Sequence, residues 1–367
     1  MNLSNAVISR VSMTLKTPFH TSLGTVTDRE GIVIELYDNE GQCGLGEGVA
    51  FSTPWYTEET VESSLTVIRH QLLPLLFQEP ISHPEDLEGR LSSVRGNPMA
   101  KASVDMAVWD LFAKQQGVPL SSCIGGTRTH ALAGVAIGSK DLPDLIEQAE
   151  QAQKQGYQRV KVKIRPGYDI EPLTVLRSRL PDIHILADAN SAYSGYTEDL
   201  LALDDLGLQM IEQPFAPDDL AEHAAIQRRM KTPICLDESI NSYSAAVNAV
   251  SFKSCRVINL KIGRVGGITA ARKIHDLCMV HDIQVWCGGM LEFGISRAHN
   301  VSLSLLPGFT IPGDLSASSR YWAEDITTPE LVVNEGVVKP FSGNGIGVEL
   351  NRRRLDEVTI ERFEYKK

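Results

Sequence analysis

Five residues that can hold a cation or move a proton recur at nearly equal spacing along the chain: Lys163, Asp188, Glu212, Asp237 and Lys261. The steps between them are 25, 24, 25 and 24 residues, close to the length of one strand–helix unit of a βα barrel. In such barrels the carboxyl ends of the strands form the active-site face. The spacing therefore predicts one site, in which three carboxylates lie between two lysines.

Alternation of side chains along the strands indicates which residues point into the barrel. In Arg159–Ile164, Lys161 and Lys163 share one face and the aliphatic residues occupy the other, which suits the helix shell. The same alternation places Asn259 beside Lys261 on the inner face. Lysines are costly to bury unless they are paired, and carboxylates on neighbouring strands can provide the opposite charge.

The carboxylates Asp188, Glu212 and Asp237 suit a divalent cation. Neighbouring strands lie roughly 5 Å apart, so carboxylates on three successive strands can converge on one ion. Oxygen ligands with no cysteine or histidine nearby favour Mg²⁺, or Mn²⁺, over zinc. Lys163 and Lys261 are four strands apart and would face each other across the ion. This arrangement suits removal of the weakly acidic proton beside a substrate carboxylate, with an enediolate as intermediate.

Several neighbouring residues allow more than one interpretation. Asn190 and Glu238 lie beside the predicted ligands and would either hydrogen-bond to them or serve as ordinary loop residues. Gly289 and Met290 follow the seventh strand, where glycine permits close approach of a ligand or simply a tight turn. Gly263–Gly267 opens a helix that could bind an anion, but its glycine spacing is not that of a dinucleotide site. Taken singly, each charged residue is more typical of a helix cap or an exposed strand, and only their common register favours a site.

Apolar strands alternate with helical segments from residue 131 onward, which is typical of parallel βαβ units. About eight strands are enough to close a barrel, so the predicted fold class is α/β with a TIM-type barrel. The predicted strands are Ala131–Gly138, Arg159–Ile164, Ile183–Asp188, Gln209–Glu212, Pro233–Asp237, Arg256–Lys261, Ile283–Cys287 and Thr310–Asp314.

The segment before residue 98 has a mixed α+β pattern, and an amphipathic helix is predicted over Pro98–Gln116. The region after residue 320 lacks the strand–helix rhythm, and we expect it to pack against the N-terminal part. The other predicted elements are strands over Val7–Leu15 and Gly31–Tyr37, a helix over Thr57–Leu76, and mobile loops over Thr21–Glu30 and Gly46–Pro54.

Composition excludes several classes of protein. The chain has 367 residues, 43% of them hydrophobic, so it can bury a substantial core. Its net charge of −11 argues against a nucleic-acid partner. The apolar runs are too short to span a membrane, and residues 1–10 do not have the pattern of a signal peptide. Six scattered cysteines without a C-x-x-C pair suit reduced thiols, so we expect a cytoplasmic protein with a small-molecule ligand.

These motifs resemble those of the muconate-lactonizing subgroup of the enolase superfamily. Further segments are similar to its o-succinylbenzoate synthase / N-succinylamino acid racemase branch, namely Phe51–Thr60, Gly288–Glu292 and Pro312–Ser318. The motifs that carry the superfamily resemblance are Lys161-x-Lys163, Asp188-Ala-Asn190, Ile211-Glu-Gln-Pro214, Asp237-Glu238 and Asn259-Leu-Lys261. The resemblance implies a modified (β/α)7β barrel over residues 126–317. It also implies an α+β capping domain over residues 1–125 that residues 318–367 complete, and we expect a homo-oligomer.

The resemblance also implies roles. Mg²⁺ would bind Asp188, Glu212 and Asp237, while Lys163 would remove an α-proton and protonate a leaving hydroxyl as Lys261 stabilises the enediolate. In the branch, this chemistry dehydrates 2-succinyl-6-hydroxy-2,4-cyclohexadiene-1-carboxylate in menaquinone biosynthesis.

Racemisation of N-succinylamino acids stays open as an alternative, because bases are present for both faces. Arg264 matches a position that the branch associates with racemase-capable members. Phe293 and Ser296 depart from the smaller residues that are common in the family, and Phe293 is expected to narrow the pocket.

Overall fold

The structure is a computed structural model that describes residues 1–21, 24–139 and 141–366. Its first layer is an antiparallel sheet at the start of the chain. Its N-terminal strands are β1 (Leu3–Thr21), β2 (Gly24–Asp38) and β3 (Cys43–Gly48). The predicted mobile loops are wrong in part. Gly24–Glu30 belongs to β2 and pairs with β1, and Gly46–Gly48 belongs to β3, while residues 22 and 23 of the first loop lie outside the described residues.

Helices cover one face of this sheet. They are α1 (Val61–Val67), a π-helical turn (Ile68–Leu72), α2 (Leu73–Leu76), α3 (Asp86–Arg90), α4 (Pro98–Gln115) and α5 (Leu120–Cys123). Helix α4 approaches β3 very closely, because a side chain on Gly44 would lie 2.1 Å from the Ala107 carbonyl oxygen. The amphipathic pattern of α4 predicted that one face of the helix would be exposed, but the helix is more buried than that. The helix is enclosed along nearly its whole length, since it lies between the sheet and the barrel.

Seven parallel strands form the barrel sheet in the order β11-β10-β9-β8-β7-β6-β5. Its apolar lower interior is filled by Leu186, Met210, Trp286 and their neighbours, and the polar residues gather at the carboxyl ends. The strands here are β4 (Ala131–Leu132), which lies outside this sheet, then β5 (Val135–Ile137), β6 (Arg159–Lys163), β7 (His184–Asp188), β8 (Met210–Glu212), β9 (Ile234–Leu236), β10 (Val257–Leu260) and β11 (Gln284–Cys287).

Helices follow each barrel strand and form the outer layer. They are α6 (Leu142–Lys154), α7 (Ile170–Arg179), α8 (Thr197–Leu201), α9 (Leu220–Arg229), α10 (Tyr243–Phe252), α11 (Ile262–Val265), α12 (Ile268–Val280) and α13 (Gly294–Leu303). The predicted eighth strand over Thr310–Asp314 is reduced to a parallel bridge between Gly313 and Ala133, and Pro312 beside it cannot donate a ladder hydrogen bond. The segment instead bonds to both sheet edges: Gly134 N donates to Gly313 O at 2.7 Å, and Asp314 N donates to Cys287 O at 2.8 Å.

The C-terminal region returns to the N-terminal sheet. Its elements are a 3₁₀ turn (Ser318–Arg320), β12 (Thr327–Thr328), β13 (Val337–Val338), β14 (Glu349–Leu350), α14 (Arg352–Val358) and β15 (Thr359–Lys366). Strand β15 pairs antiparallel with β1, so both ends of the chain contribute to one sheet. The domain boundaries at residues 125/126 and 317/318 stay predictions. Within the described ranges, no helix is long and apolar enough to cross a membrane.

The buried carboxylate of Asp110 should be essential for this architecture. It accepts hydrogen bonds from Leu45 N at 2.8 Å, from Ile346 N at 2.8 Å and from Lys114 Nζ at 2.7 Å. Asp110→Ala leaves these donors without their acceptor, so we expect a loss of about 3–5 kcal/mol in the free energy of unfolding, measured with urea. The control is Asp205→Ala, whose side chain is 90% exposed and should cost less than about 0.5 kcal/mol. Equal losses in the two variants would contradict this assignment.

Candidate active site

The strand register brings the predicted site residues to one level of the barrel. Lys163 on β6 is the direct partner of Asp188 on β7, and Asp188 is the direct partner of Glu212 on β8. Asp237 and Lys261 directly follow β9 and β10. All three carboxylates are buried, so any charge that they carry must be offset inside the protein.

Ammonium groups lie against this row of carboxylates at one end. Lys163 Nζ donates to Asp188 Oδ2 at 2.6 Å and to Asn190 Oδ1 at 2.5 Å. Lys161 Nζ lies 3.5 Å from Asp188 Oδ2 and 3.4 Å from Glu212 Oε2. It also lies 3.0 Å from Asp314 Oδ2. Burial alone would lower the pKa of Lys161, but Asp314, Glu212 and Asp188 raise it well above its ordinary value, which favours the charged form.

A second cluster lies at the other end of the row. Lys261 Nζ donates to Asp237 Oδ2 at 2.9 Å and to the Tyr56 hydroxyl at 2.8 Å. Arg264 donates to Asp237 Oδ1, and its Nη1 also donates to the Tyr56 hydroxyl at 2.8 Å. Although burial opposes ionisation, Arg264 and Lys261 hold the pKa of Asp237 below its ordinary range. Asp237 in turn raises the pKa of Lys261 despite the burial of the lysine.

Glu212 is the least compensated carboxylate in the row. Burial, and then the nearby charge of Asp188, raises its pKa to about 8. Asn259 Nδ2 donates to Glu212 Oε1 at 2.6 Å, while Oε2 accepts no hydrogen bond from any described residue. Among the described residues, no three acidic, histidine or cysteine side chains are gathered closely enough to hold a metal ion. Convergence of the three carboxylates on one cation therefore stays a prediction.

A cavity of about 320 Å³ opens onto these residues. Lys161, Lys163 and Lys261 line it, and so do Glu238, Gly289 and Met290. Aromatic side chains from the N-terminal part cover it, among them Trp55 and Tyr56. Sequence reasoning missed the roles of Tyr56, Asp314 and Arg297 in this cavity. The sequence signal near Tyr56 and Asp314 was the family resemblance of the segments Phe51–Thr60 and Pro312–Ser318 that contain them.

The supporting residues take specific positions. Asn190 Nδ2 donates to Glu238 Oε1 at 3.3 Å, so the two candidate loop residues contact each other beside Asp188 and Asp237. Gly288 leaves room for the side chains of Asn259 and Lys261, because a side chain there would lie 2.1 Å from Asn259 Oδ1 and 2.7 Å from Lys261 Cε. The glycine turn after β11 therefore makes room for the side chains of Asn259 and Lys261.

Two expectations about nearby residues need correction. Phe293 does not line the cavity, because its ring packs in the core against Trp322 at a centroid distance of 5.2 Å. The helix that begins after Gly267 already has a carboxyl group of the protein at its N-terminus: Asp105 accepts hydrogen bonds from the backbone and the hydroxyl of Thr269. A side chain on Gly267 would collide with Asp105, which explains the glycine without a ligand.

Comparisons with known proteins agree with this geometry. The sequence profile of the mandelate racemase / muconate lactonizing enzyme N-terminal domain matches residues 4–125, and that of the enolase C-terminal domain-like family matches residues 144–354. The chain is 48% identical to o-succinylbenzoate synthase of Geobacillus kaustophilus, over 98% of this chain and 96% of that protein. It is 42% identical to N-succinylamino acid racemase of Thermus thermophilus, over 98% of each chain. A crystal structure of an enolase-superfamily member from Listeria innocua superposes with a TM-score of 0.97 at 43% identity, over 100% of this chain and 99% of that one.

The raised pKa of Glu212 predicts a pH-dependent cost to stability. Because the pKa rises from 4.5 to about 8 on folding, ionisation of Glu212 destabilises the metal-free fold progressively between these pH values and fully above them. The neutral variant Glu212→Gln avoids that cost. Its stability relative to wild type in EDTA should therefore increase from pH 5 to pH 9, by on the order of 1–4 kcal/mol.

Urea unfolding at both pH values measures this difference. Glu349→Gln is the matched control, because Glu349 is exposed and its replacement should give the same difference at both pH values. A stability difference for Glu212→Gln that stays flat or shrinks as the pH rises would show that Glu212 ionises freely in the folded protein.

Proposed function

The chain belongs to the mandelate racemase / muconate lactonizing enzyme family of the enolase superfamily, and we propose that it is an o-succinylbenzoate synthase. The reaction is the dehydration of 2-succinyl-6-hydroxy-2,4-cyclohexadiene-1-carboxylate, a step of menaquinone biosynthesis. The observation that carries the proposal is the pair Lys163 and Lys261, which line one cavity at opposite ends of a buried row of carboxylates. Relatives named o-succinylbenzoate synthase at 43–48% identity support it.

Lys163 is the proposed base. Its side chain is 34% exposed and faces the cavity, whereas Lys161 behind it is enclosed among three carboxylates. In the proposed reaction, Lys163 Nζ takes the proton from the carbon beside the substrate carboxylate. The same ammonium group then protonates the departing hydroxyl, which leaves as water while the ring becomes aromatic. One residue can do both because the two groups leave from the same face of the substrate.

Lys261 is proposed to stabilise the developing charge from the opposite face. Asp237 and Tyr56 raise its pKa even though it is buried, which favours the charged form of Lys261. A preorganised cation in a site sheltered from water stabilises an enediolate more than the same charge would in solution.

Asp188, Glu212 and Asp237 are the proposed Mg²⁺ ligands. The chemistry of the donor set fits, because all three offer buried carboxylate oxygens and Glu212 Oε2 accepts no hydrogen bond from any described residue. Burial and the charge of Asp188 raise the pKa of Glu212, so a bound cation would stabilise its ionised form. When bound, Mg²⁺ would supply a Lewis acid that holds the substrate carboxylate and stabilises the negative charge developing on it. Mn²⁺ has similar ligand preferences and is a possible substitute.

N-succinylamino acid racemase activity is a second candidate function. The specific observation that favours it is the contact network of Arg264, which joins Asp237 and the Tyr56 hydroxyl and so holds Lys261 in place from behind. Racemisation needs an acid and a base on opposite faces of the α-carbon, and Lys163 and Lys261 supply such a pair. The 42% and 40% identical relatives from Thermus thermophilus and an Amycolatopsis species carry this name.

We also propose that the protein works in the cytoplasm on a small carboxylate substrate. Its six cysteines are free thiols, four of them buried, which suits a reducing compartment. Assembly into a homo-oligomer stays a prediction.

The proposed reaction can be tested with purified protein, Mg²⁺ and the cyclohexadiene acid, with aromatisation followed by ultraviolet absorbance. We expect rapid aromatisation by wild type and a loss of at least about 10³-fold in kcat for Lys163→Ala, because the base is removed. Lys231→Ala is the control, since that lysine is 84% exposed and precedes β9, whereas the site lies at the carboxyl end of that strand. No aromatisation by wild type would reject the synthase proposal, and an active Lys163→Ala variant would reject the assigned base.

Metal binding can be tested without an activity assay. A ligand that binds only the folded state at 100 times its dissociation constant stabilises it by about 2.7 kcal/mol. Saturating Mg²⁺ should therefore raise the unfolding temperature of wild type by several degrees, and it should have little effect on Asp188→Asn or Asp237→Asn. Asp205→Asn, which changes an exposed carboxylate, should keep the full shift. Equal shifts in all four proteins would mean that Mg²⁺ binds elsewhere.

A further inference from the structure

Arg297 is a charged residue of the cavity wall that the proposed chemistry does not use. It lies in the first turn of α13, is only 5% exposed, and lines the same cavity as the three lysines. Ser316 and Tyr321 are the neighbouring parts of this wall. The lysines project from β6 and β10, so Arg297 belongs to a different wall from the proposed catalytic groups.

Among the described residues, the groups that hold the guanidinium in place are neutral. Its Nε donates to the Glu292 carbonyl oxygen at 3.0 Å, and its Nη1 donates to the Ser316 carbonyl oxygen. Its central carbon lies 4.8 Å from the ring centroid of Tyr321. These contacts fix the plane and position of the guanidinium but leave its charge without an anion.

The absence of an ion pair distinguishes Arg297 from the other cations of the cavity. Lys161, Lys163 and Lys261 each have a carboxylate oxygen within 3.5 Å. Across the described parts of the chain, no carboxylate lies within 4.0 Å of the Arg297 guanidinium. Its Nη2 is not a fully buried nitrogen that lacks a hydrogen-bond partner. A buried guanidinium in a cavity wall that is fixed but not ion-paired is suited to bind an anionic group of the ligand.

The N-terminus of α13 is already occupied by carboxylates of the protein, which accept hydrogen bonds from three N–H groups there. The carboxylate of Glu47 accepts from Phe293 N at 2.8 Å and from Ser296 N at 2.7 Å. Gly294 N donates to Asp325 Oδ1 at 3.0 Å. The guanidinium of Arg297 is therefore the group on this wall with an uncommitted positive charge.

We propose that Arg297 binds the distal carboxylate of the succinyl chain and thereby selects substrates whose acyl chain ends in an anion. This inference rests on the proposed function, in which the reacting carboxylate lies at the lysine end of the cavity. A second carboxylate on the same molecule would then reach a separate cationic group. The same contact would serve the cyclohexadiene acid and an N-succinylamino acid alike, because both carry the succinyl chain.

Calorimetric titration of the Mg²⁺-loaded protein with two ligands tests this assignment. One ligand is o-succinylbenzoate, and the other is 2-butanoylbenzoate, in which a methyl group replaces the distal carboxylate. A charge-assisted hydrogen bond corresponds to about 10-fold or more in affinity, so wild type should prefer o-succinylbenzoate by at least that ratio. Arg297→Gln should reduce the preference to less than about 3-fold, mainly by weakening o-succinylbenzoate binding.

Arg297→Lys should also reduce the preference, because one ammonium group cannot keep both carbonyl contacts and reach the ligand. This variant decides the question if Arg297→Gln fails to fold, which circular dichroism would reveal. Arg320→Gln is the matched control: Arg320 is exposed, donates to the Ala136 carbonyl oxygen, and lies near Tyr321 in the chain. Its preference should equal that of wild type.

The proposal would be overturned if the folded Arg297 variants kept the wild-type preference for o-succinylbenzoate over 2-butanoylbenzoate. Loss of that preference in Arg320→Gln would also overturn it. Wild-type binding of both ligands with equal affinity would also overturn it. Failure of wild type to bind either ligand would instead count against the proposed function.

Discussion

Lys161 lies among three carboxylates, two of them buried, and the rest of the site depends on this contact. Its ammonium group lies within 3.5 Å of oxygens of Asp188, Glu212 and Asp314. Arg159 pairs with the far oxygen of Asp314 at 2.6 Å and lies over the ring of Trp286. Buried charges of this kind are often less favourable than apolar packing of the same volume. The charged network at the carboxyl end of the barrel therefore costs stability, which a functional role would explain. The lower interior of the barrel is apolar.

The N-terminal part of the chain completes this network from outside the barrel. Tyr56 provides the hydroxyl that accepts from Lys261 and Arg264, so the position of a barrel lysine depends on a residue 205 positions away in the sequence. Arg29 holds the segment before Tyr56 by donating to the carbonyl oxygens of Val49 and Ala50. Glu47 binds the first turn of α13, which carries Arg297. The sheet formed by both ends of the chain thus orients groups on two walls of the cavity.

The strand register of the site was predictable from the sequence, because the spacing repeats with the strand–helix unit. Lys163, Asp188 and Glu212 are partners on neighbouring strands because each βα unit has nearly the same length. That equal spacing can be read directly from the sequence. The α/β fold with a capping region was likewise predictable, and the comparisons confirm it. Tyr56 and Arg297 have no such regularity, because their roles arise from contacts between distant segments. The predicted eighth strand is shortened to a single bridge for a local reason, since Pro312 lacks the N–H group that a full ladder requires.

The central claim is that a carboxylate substrate lies between Lys163 and Lys261, with Asp188, Glu212 and Asp237 holding the cation. A crystal structure of the protein with Mg²⁺ and o-succinylbenzoate measures this directly. The account predicts density for one ion bound to those three carboxylates and to the ring carboxylate of the ligand, with the two lysine Nζ atoms on opposite faces of the ligand. Both lysines on the same face, or an ion bound without these carboxylates, would contradict it.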